Sequence, residues 1–254
     1  MIMDYYRPRT IEEALGLLEA GIPLAGGTVL TPRRRQLKAV VDLRDLGLDG
    51  INLEGSQIIV GATTPLQSLV ESGLAPSLRE TFRREAGWNL RNTATLGGTV
   101  MAGDGRSPAL TALLALDAVV QAEPAGREIA LAGLLERRAE LGQPFLITAL
   151  RFPEPLAFAY EQVARSPADR PIVCVAAAKL PGASAITVAL GGWGESPVRL
   201  TALEAHLAEG GEPAQLAEFA ARVCEDAGDA FASAEYRAHA AGVLLGRVLK
   251  EVSD

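Results

Sequence analysis

The stretch Leu24–Leu30, "LAGGTVL", returns in nearly the same form as "TLGGTVM" at Thr95–Met101. The residues that flank the two copies are unrelated, so duplication of a whole domain does not explain the repeat. Adjacent glycines leave backbone N–H groups uncovered and can direct several of them at one anion, and the threonine that follows adds a hydroxyl donor. Glycine pairs also form ordinary tight turns. The two copies are therefore open to two interpretations: two independent tight turns, or two loops that bind one shared ligand.

A ligand with two adjacent negative groups would suit two such loops, and a pyrophosphate is the obvious candidate. Each charge-assisted hydrogen bond from the backbone would contribute about 1.5 to 3 kcal/mol. Neither loop reads GxGxxG, and no Gly-Lys-Ser/Thr follows either of them. The sequence thus lacks the fingerprints of the ordinary dinucleotide-binding fold and of the P-loop.

Composition excludes several classes of protein. The chain has 254 residues, 48% of them hydrophobic, which is enough for a full core. Its net charge of −7 argues against a nucleic-acid-binding protein, because such proteins usually carry a clustered basic surface. The charged residues Asp4, Arg7 and Arg9 stand where a secretory signal would need apolar ones, and no apolar run approaches the ~20 residues of a membrane helix. We therefore expect a cytoplasmic protein without a membrane span.

The cysteines and histidines do not predict a metal site. Cys174 and Cys224 form no CxxC motif, and His206 and His239 are the only imidazoles. Four such separate residues cannot by themselves assemble a zinc or iron–sulfur centre, so any metal chemistry would belong to a partner.

Two further features have structural interpretations. The run Arg33-Arg34-Arg35 is interpreted as a solvated turn edge rather than as an anion-binding site, because charge runs usually face water. Trp88 and Trp193 have no basic or aromatic partners at binding spacing and are interpreted as packing residues.

The predicted secondary structure changes near the middle of the chain. Its first part predicts helices capped by Thr10, Thr64, Ser77 and Ser107, with short strands between them. Two prolines in "QPFLITALRFPEP" predict a hinge, and hence domains over residues 1–153 and 154–254. The second part predicts three antiparallel strands, "AFAYEQVAR", "RPIVCVAAAKL" and "SAITVALGGWG", followed by alanine-rich helices. Strands first and helices afterwards indicate the α+β class.

Several blocks together resemble one family. In chain order they are "PLAGGTVLTPRRR", "VVDLRDL", "IIVGATTPLQSLVESGL", "NLRNTATLGGTV", "ALLALDA", "YEQVARSPADRPIVCVAAA" and "ITVALGGWGESPVRL". They are similar to the FAD-binding medium subunit of the molybdenum hydroxylases, of the carbon monoxide dehydrogenase and xanthine dehydrogenase type. The similarity covers nearly the whole chain.

The resemblance implies a fold and a site. The fold would be an FAD-binding region of two small α/β subdomains, followed by a three-stranded antiparallel sheet with a C-terminal helical bundle. Both Gly-Gly loops would wrap the FAD, an apolar Ile147 would contact its adenine end, and the loop at residues 165–171 would approach the flavin ring. The cofactor-binding residues so implied are Leu24, Ala25, Gly26, Gly27, Thr28, Val29 and Leu30 of the first loop, Thr95, Leu96, Gly97, Gly98 and Thr99 of the second, and Ile147. We add Asp104 and Tyr160 as further candidates near the cofactor.

Three positions depart from the family pattern. Thr99 replaces an asparagine, Pro108 stands where the family has an aspartate near the cofactor, and Glu161 stands where some relatives have a lysine. Proline cannot replace a carboxylate that accepts hydrogen bonds, although Asp104 in the preceding turn could reach back. A negative Glu161 close to the flavin would disfavour an anionic reduced form.

The resemblance implies an oxidoreductase subunit without catalytic acid–base residues of its own, because the flavin carries the chemistry. Electrons would arrive from the iron–sulfur clusters of a small partner subunit, which receives them from a molybdopterin large subunit. They would leave to NAD, a quinone or oxygen. The alternative, suggested by the three departures, is a flavin-free scaffold that bridges partner subunits.

Overall fold

A computed structural model describes residues 4–140, 144–211 and 215–253 of the chain. The strands are β1 (Asp4–Tyr6), β2 (Ile22–Leu24), β3 (Ala39–Asp42), β4 (Ile51–Glu54), β5 (Gln57–Gly61), β6 (Val119–Glu123), β7 (Arg127–Ala130), β8 (Leu146–Pro153), β9 (Ala157–Val163), β10 (Val173–Lys179), β11 (Thr187–Gly191) and β12 (Val198–Arg199). The helices are α1 (Ile11–Leu17), α2 (Leu66–Glu71), α3 (Pro76–Glu85), α4 (Trp88–Arg91), α5 (Leu96–Ala102), α6 (Pro108–Ala115), α7 (Leu131–Arg137), α8 (Thr201–Ala208), α9 (Leu216–Val223) and α10 (Ala234–Ser253). Short 3₁₀ turns lie at Thr31–Arg33, Arg44–Leu46 and Arg138–Glu140. The protein is thus a mixed α/β fold with several sheets.

The described residues form two compact units. The first contains the chain up to Ser72, together with Gly87–Ala102 and Ala118–Phe152. The second contains Gly73–Ala86, Gly103–Asp117 and the chain from Pro153 onward. The domain boundary after residue 153 stays a prediction, since these units divide the chain more finely than one boundary does.

The first unit begins with a small parallel sheet. Its strand order is β1-β3-β2, and both outer strands run parallel to β3. The central strand reads AVVD and is buried along its whole length, as expected for a parallel strand covered on both faces. Ala14 of helix α1 and Leu18, the residue that follows the helix, belong to the core of this sheet.

The start of α1 follows directly from the sequence. The hydroxyl of Thr10 accepts a hydrogen bond from the Glu13 N–H at 3.2 Å, so the predicted N-cap is confirmed. The Glu13 carboxylate accepts in turn from the Arg9 N–H at 2.9 Å. Two donors at the helix start are therefore satisfied within one turn of chain.

A second sheet in the first unit has the order β4-β5-β8-β6-β7. β6 lies antiparallel to both β7 and β8, with Val120 opposite Ile129 on one side and Leu150 on the other. Along β5 the side chains alternate between half-buried and buried, which is the period of a sheet with one covered face.

The second unit is built on an antiparallel sheet of order β12-β11-β10-β9. The three predicted strands are present as β9, β10 and β11, and the two-residue β12 adds a fourth at the edge. Every residue of β10 up to Ala178 is buried. Val173, Val175 and Ala177 belong to a core shared with α8, α9 and α10. Cys174, on the opposite face, lies 3.4 Å from the Thr111 hydroxyl of α6, so helices cover both faces of the strand.

The predicted helix caps have mixed outcomes. Ser107 caps α6, with its hydroxyl accepting from the Leu110 N–H at 3.1 Å, as predicted. The caps predicted at Thr64 and Ser77 are wrong: Pro65 precedes α2, and Ser77 lies inside α3. The Thr64 hydroxyl instead accepts a hydrogen bond from the Gly50 N–H and donates one to the Gly50 carbonyl.

In the part of the chain that the structure describes, no helix combines the length and the apolar character needed to cross a membrane.

Candidate functional site

The first Gly-Gly-Thr loop starts at the carboxyl end of a parallel strand. Leu24 ends β2, and its carbonyl accepts a hydrogen bond from the Leu43 N–H at 2.9 Å. Gly27 has φ +68°, in the left-handed region that favours glycine. The loop closes where the Thr31 N–H donates to the Gly27 carbonyl at 2.8 Å. Ligands of open α/β sheets characteristically bind just beyond this end of the strands.

The backbone of this loop leaves its donors open. Among the described residues, none accepts a hydrogen bond from the five successive N–H groups of Gly26 to Leu30. The Thr28 hydroxyl likewise has no protein partner among them, and all of these residues except the exposed Val29 are half-buried. Backbone donors that are partly shielded and unused by the protein are suited to hold an anion.

The second Gly-Gly-Thr copy uses its donors inside the protein. The Gly97 N–H donates to the Ala62 carbonyl at 2.8 Å, and the Gly98 N–H donates to the Thr95 hydroxyl at 3.2 Å. The Thr99 hydroxyl donates to the Thr95 carbonyl at 3.0 Å. This copy forms the first turn of α5. The expectation that both glycine pairs leave their N–H groups uncovered therefore holds for the first copy and is wrong for the second.

The two copies nevertheless lie close together. A Cβ built on Gly26 would overlap the carbonyl oxygen of Thr93 and would lie 3.1 Å from the Ala94 Cα. The backbone of the first loop thus packs against the segment that leads into the second. A side chain at position 26 would push the two segments apart.

Ile147 lies within β8, opposite Ala122, and only 6% of it is exposed. Its neighbour Thr148 accepts from the Ala62 N–H at 2.9 Å, and the Ala62 carbonyl accepts from Gly97. These bonds connect the strand that carries Ile147 to the start of α5. The side chain itself belongs to the sheet core, which leaves little of its surface for a ligand.

Asp104 already has partners within the second unit. Its carboxylate forms a two-pronged ion pair with Arg170, at 2.7 and 2.8 Å, and accepts from the Arg106 N–H at 2.8 Å. The guess that Asp104 reaches back to replace the family's aspartate finds no support in these contacts.

Tyr160, on β9, donates to the Gln162 side-chain oxygen at 2.8 Å. The Arg84 guanidinium lies 5.9 Å from the centre of its ring. Burial raises the pKa of the Tyr160 hydroxyl well above its usual value, with the Cys174 thiol next to it as a further cause. The phenol is therefore neutral at physiological pH.

Glu85 is a buried acid that sequence reasoning missed. Its carboxylate accepts from the Ser107 hydroxyl at 2.7 Å and from the Ala109 N–H at 2.9 Å, at the start of α6. Burial raises its pKa to about 7, although both hydrogen bonds and the nearby Arg170 oppose that rise. No local signal could have revealed this contact, because the partners lie 22 and 24 residues apart in the chain.

The remaining predicted features have clear outcomes. Arg33, Arg34 and Arg35 are all exposed, as expected for a solvated turn edge. Trp88 is 64% exposed, so its interpretation as a packing residue is wrong, whereas Trp193 packs against the core of the second unit. Over the described ranges, no three His, Cys, Asp or Glu side chains come together in a way that could hold a metal ion.

The first loop provides a test of whether FAD fits this chain. The cofactor's diphosphate is an anion that needs several donors, and the unused N–H groups of Gly26 to Leu30 provide them without any particular side chain. The close approach at Gly26 would also keep side-chain atoms out of this part of the loop. A parallel strand that ends in an open run of donors fits the class of proteins that bind phosphate-bearing cofactors.

Comparison with known families makes this class specific. Residues 1–155 match the family described as the FAD binding domain in molybdopterin dehydrogenase. Residues 158–252 match the CO dehydrogenase flavoprotein C-terminal domain. The chain belongs to this family of oxidoreductase subunits, whose cofactor is FAD.

Individual relatives are similar to this chain over nearly its full length. The carbon monoxide dehydrogenase medium chain of Afipia carboxidovorans is 32% identical over 276 residues, which cover 97% of this chain and 95% of the relative. A chain of the carbon monoxide dehydrogenase from Hydrogenophaga pseudoflava, in a form that lacks the Mo-pyranopterin moiety of its cofactor, superposes with a TM-score of 0.83 at 26% identity, covering 100% and 98% of the two chains. A chain of the reconstituted enzyme from Oligotropha carboxidovorans gives 0.82 at 27% identity, covering 99% and 98%. The mixed α/β fold is thus that of the medium chain.

Proposed function

We propose that this chain is the electron-transfer flavin subunit of a molybdenum hydroxylase complex. It would take electrons from the iron–sulfur clusters of a small partner subunit, which is supplied by a molybdopterin large subunit, and pass them to an external acceptor. The proposal is supported by family membership and by relatives that are themselves named medium chains of a dehydrogenase. A cytoplasmic location remains a prediction.

The observation that carries the proposal is the open run of donors from Gly26 to Leu30. We propose that these backbone N–H groups and the Thr28 hydroxyl hold the FAD diphosphate. Leu24 and Ala25 would connect β2 to this run of donors. When bound, FAD supplies the electron-carrying chemistry, and the protein supplies its position and its electrostatic surroundings.

The second copy has a different part in this proposal. Residues Thr95 to Thr99 would support the site by fixing α5 against Ala62 and by presenting the Thr93–Ala94 backbone to Gly26. Any contact of these residues with the cofactor would come from groups other than the N–H donors of Gly97 and Gly98. Ile147 would act in the same supporting way, through the sheet core.

A flavin-free scaffold is the second candidate, and one observation favours it. The aspartate that the family places near the cofactor is Pro108 here, and the nearby Asp104 is occupied by Arg170. A chain that lost part of its flavin contacts could have kept the fold in order to bridge its partners.

The FAD content of the complex separates the two candidates. The chain is purified together with its partner subunits, precipitated with acid, and the released flavin is quantified against the protein. A flavin subunit should release FAD in near-equal amount to the chain, and the intact complex should be yellow. A colourless complex with all its subunits present would establish the scaffold instead.

Electron transfer is tested in the same preparation. The iron–sulfur clusters are reduced anaerobically, and the loss of flavin absorbance is followed in the complex and in the isolated FAD-loaded chain. Rapid flavin reduction that requires the partner subunits is the expected result. Equal rates with and without the partners would contradict the proposed electron route.

A further inference from the structure

Asp42 is an acidic residue that the fold buries completely. It ends β3, the central strand of the small parallel sheet in the first unit. In the strand register it lies opposite Leu24, the last residue of β2. The carboxyl ends of parallel strands meet at one edge of a sheet, so Asp42 lies at the edge where the open loop begins. A carboxylate buried without partners would be very costly, and the partners of Asp42 therefore show what it does.

Both carboxylate oxygens of Asp42 have partners within the unit. Oδ1 accepts from the backbone N–H of Arg44 at 3.0 Å, which closes an Asx turn around Leu43. Oδ2 accepts from the Tyr5 hydroxyl of β1, and the Arg44 Nε lies 2.7 Å from the same oxygen. The bond to Asp42 raises the pKa of the Tyr5 hydroxyl, so the phenol stays a donor at physiological pH. Asp42 thus joins β1, β3 and the chain after β3.

The residue enclosed by this turn holds the end of β2. The Leu43 N–H donates to the Leu24 carbonyl at 2.9 Å. The Leu43 side chain is buried in the core cluster of the sheet, and Ala25 packs against that cluster. The last residue of β2 and the residue after it are therefore both fixed by Leu43 and its core neighbours.

The open run of donors starts immediately beyond this fixed point, at Gly26. Hydrogen bonds weaken steeply when the distance or the angle changes, so several backbone donors can hold one anion only if they keep a common position. A movement of Leu24 and Ala25 would displace the whole run together. The bond from Leu43 to Leu24 therefore matters for anion binding as well as for the sheet.

The negative charge of Asp42 is not what the turn needs. The Asx turn requires one side-chain oxygen that accepts the Arg44 N–H. The ion pair, in contrast, involves a guanidinium group on a side chain that is 62% exposed, where water weakens the attraction. Replacing a buried ion pair by apolar groups is often neutral for stability, so such a carboxylate is better explained by the geometry that it fixes.

We propose that Asp42 is a positioning residue for the FAD diphosphate. Its bond to the Arg44 N–H fixes Leu43, and Leu43 fixes the strand end from which the donors of Gly26 to Leu30 extend. Asp42 does not touch the cofactor. The inference rests on the proposed function, because it explains how that loop is held ready for its anion.

Hydrogen exchange measured by NMR on the flavin-depleted chain tests the positioning itself. Asp42→Ala should speed exchange of the Leu43 amide by about tenfold or more, because the turn that holds Leu43 is lost. Asp42→Asn should stay within about threefold of the parent chain, because asparagine keeps the accepting oxygen. The amides of β6, in the other sheet of the same unit, are the internal reference for a general loss of stability.

Fluorescence titration of the same chains with FAD tests the consequence for the cofactor. Asp42→Ala should weaken FAD binding by about tenfold, and Asp42→Asn by less than about threefold. Leu134→Ala is the matched control, because it removes a buried side chain of α7 in the same unit. It should lower the urea midpoint at least as much as Asp42→Ala does and leave FAD affinity within about twofold. A merely structural role of Asp42 would make these two variants alike.

The inference is overturned if Asp42→Ala keeps the parent's exchange rate at Leu43 or the parent's FAD affinity. It is also overturned if Asp42→Asn loses as much as Asp42→Ala, since the charge would then be the essential property. Should Asp42→Ala not fold, Asp42→Glu replaces it and should give the same losses, because the longer side chain keeps the charge and loses the turn. A parent chain that binds no FAD, alone or in its complex, refutes the proposed function instead. The exchange rates at Leu43 then decide whether Asp42 fixes the strand end.

Discussion

The two Gly-Gly-Thr copies share their sequence and differ in what their donors do. From Gly26 to Leu30 the backbone N–H groups have no acceptor among the described residues. In the second copy Gly97, Gly98 and Thr99 all donate to groups of the protein. The first copy follows a strand and turns away from it, whereas the second begins a helix. The same residue types therefore leave their donors unused in the first copy and use them for hydrogen bonds within the protein in the second.

At the start of α6, backbone donors are satisfied in a third way. There the protein supplies its own acceptor, because the Glu85 carboxyl group accepts from Ser107 and Ala109. Backbone donors at a bend are thus filled by a carbonyl or hydroxyl in the second copy, by a carboxylate at α6, and by no described group in the first loop. Of these three described arrangements, only the open loop is suited to an external anion.

Alanine substitutions at two glycines should give the largest effects. Gly26→Ala should lower the free energy of unfolding by several kcal/mol, because the new Cβ would overlap the Thr93 backbone. Gly97→Ala should cost about 1 to 3 kcal/mol, since its Cβ would lie 2.8 Å from the Ala62 Cβ and 2.9 Å from its carbonyl oxygen. Urea unfolding measures both.

Gly98→Ala is the matched control for this series. Its Cβ would meet only the movable Thr95 hydroxyl, at 2.9 Å, and alanine favours a helix, so stability should change by less than about 1 kcal/mol. If Gly26→Ala proved as harmless as Gly98→Ala, the close approach of the two segments would be disproved.

Glu85→Gln tests the buried acid at the start of α6. The pKa of Glu85 in the folded protein, about 7, lies above its ordinary value of 4.5, so the folded state holds this proton more tightly than the unfolded state. Wild-type stability should therefore fall as pH rises from 4.5 to 7. The neutral glutamine should remove that fall, a relative gain on the order of 3 kcal/mol at most.

Urea unfolding at several pH values measures the difference between the two proteins, in which other groups cancel. Glu80→Gln is the control, because Glu80 lies on the same helix with a partly exposed side chain that is paired with Arg83 and Arg84. Parallel pH profiles for wild type and Glu85→Gln would show that the Glu85 carboxyl titrates normally.

The two threonines test which copy binds the cofactor. Thr28→Val removes a hydroxyl without a described partner and should weaken FAD binding by about five- to tenfold. Thr99→Val removes a hydroxyl that donates to the Thr95 carbonyl, so FAD affinity should stay within about twofold of wild type. Fluorescence titration of the flavin-depleted chain with FAD gives both affinities. Equal losses in the two variants would mean that both copies touch the cofactor.

Asp104→Asn should have the smallest effect. It breaks an ion pair in which both side chains are more than 40% exposed, so stability should fall by less than about 1 kcal/mol and FAD affinity should not change. Arg170→Gln breaks the same pair from the other side and should give a similar loss. A tenfold fall in FAD affinity for Asp104→Asn alone would show that Asp104 does replace the family's aspartate.

Local patterns predicted the elements whose causes are local. The caps at Thr10 and Ser107 were predictable because each involves donors within one turn of the residue itself. The cap at Thr64 failed for a tertiary reason. Pro65 pairs with Thr95 in an isolated bridge, and the Leu66 N–H donates to the Ala94 carbonyl, so the backbone stays extended for one residue longer than the sequence suggests.

The sequence by itself determined the family, the cofactor class and the main strands and helices, because these depend on residue types in a fixed order. Only the tertiary structure decided which Gly-Gly-Thr copy keeps its donors open, that Asp104 is held by Arg170, and that Glu85 lies at the start of α6. The physical reason is that a hydrogen-bond donor is open or closed according to which acceptor the fold brings within about 3 Å, and that acceptor can come from anywhere in the chain.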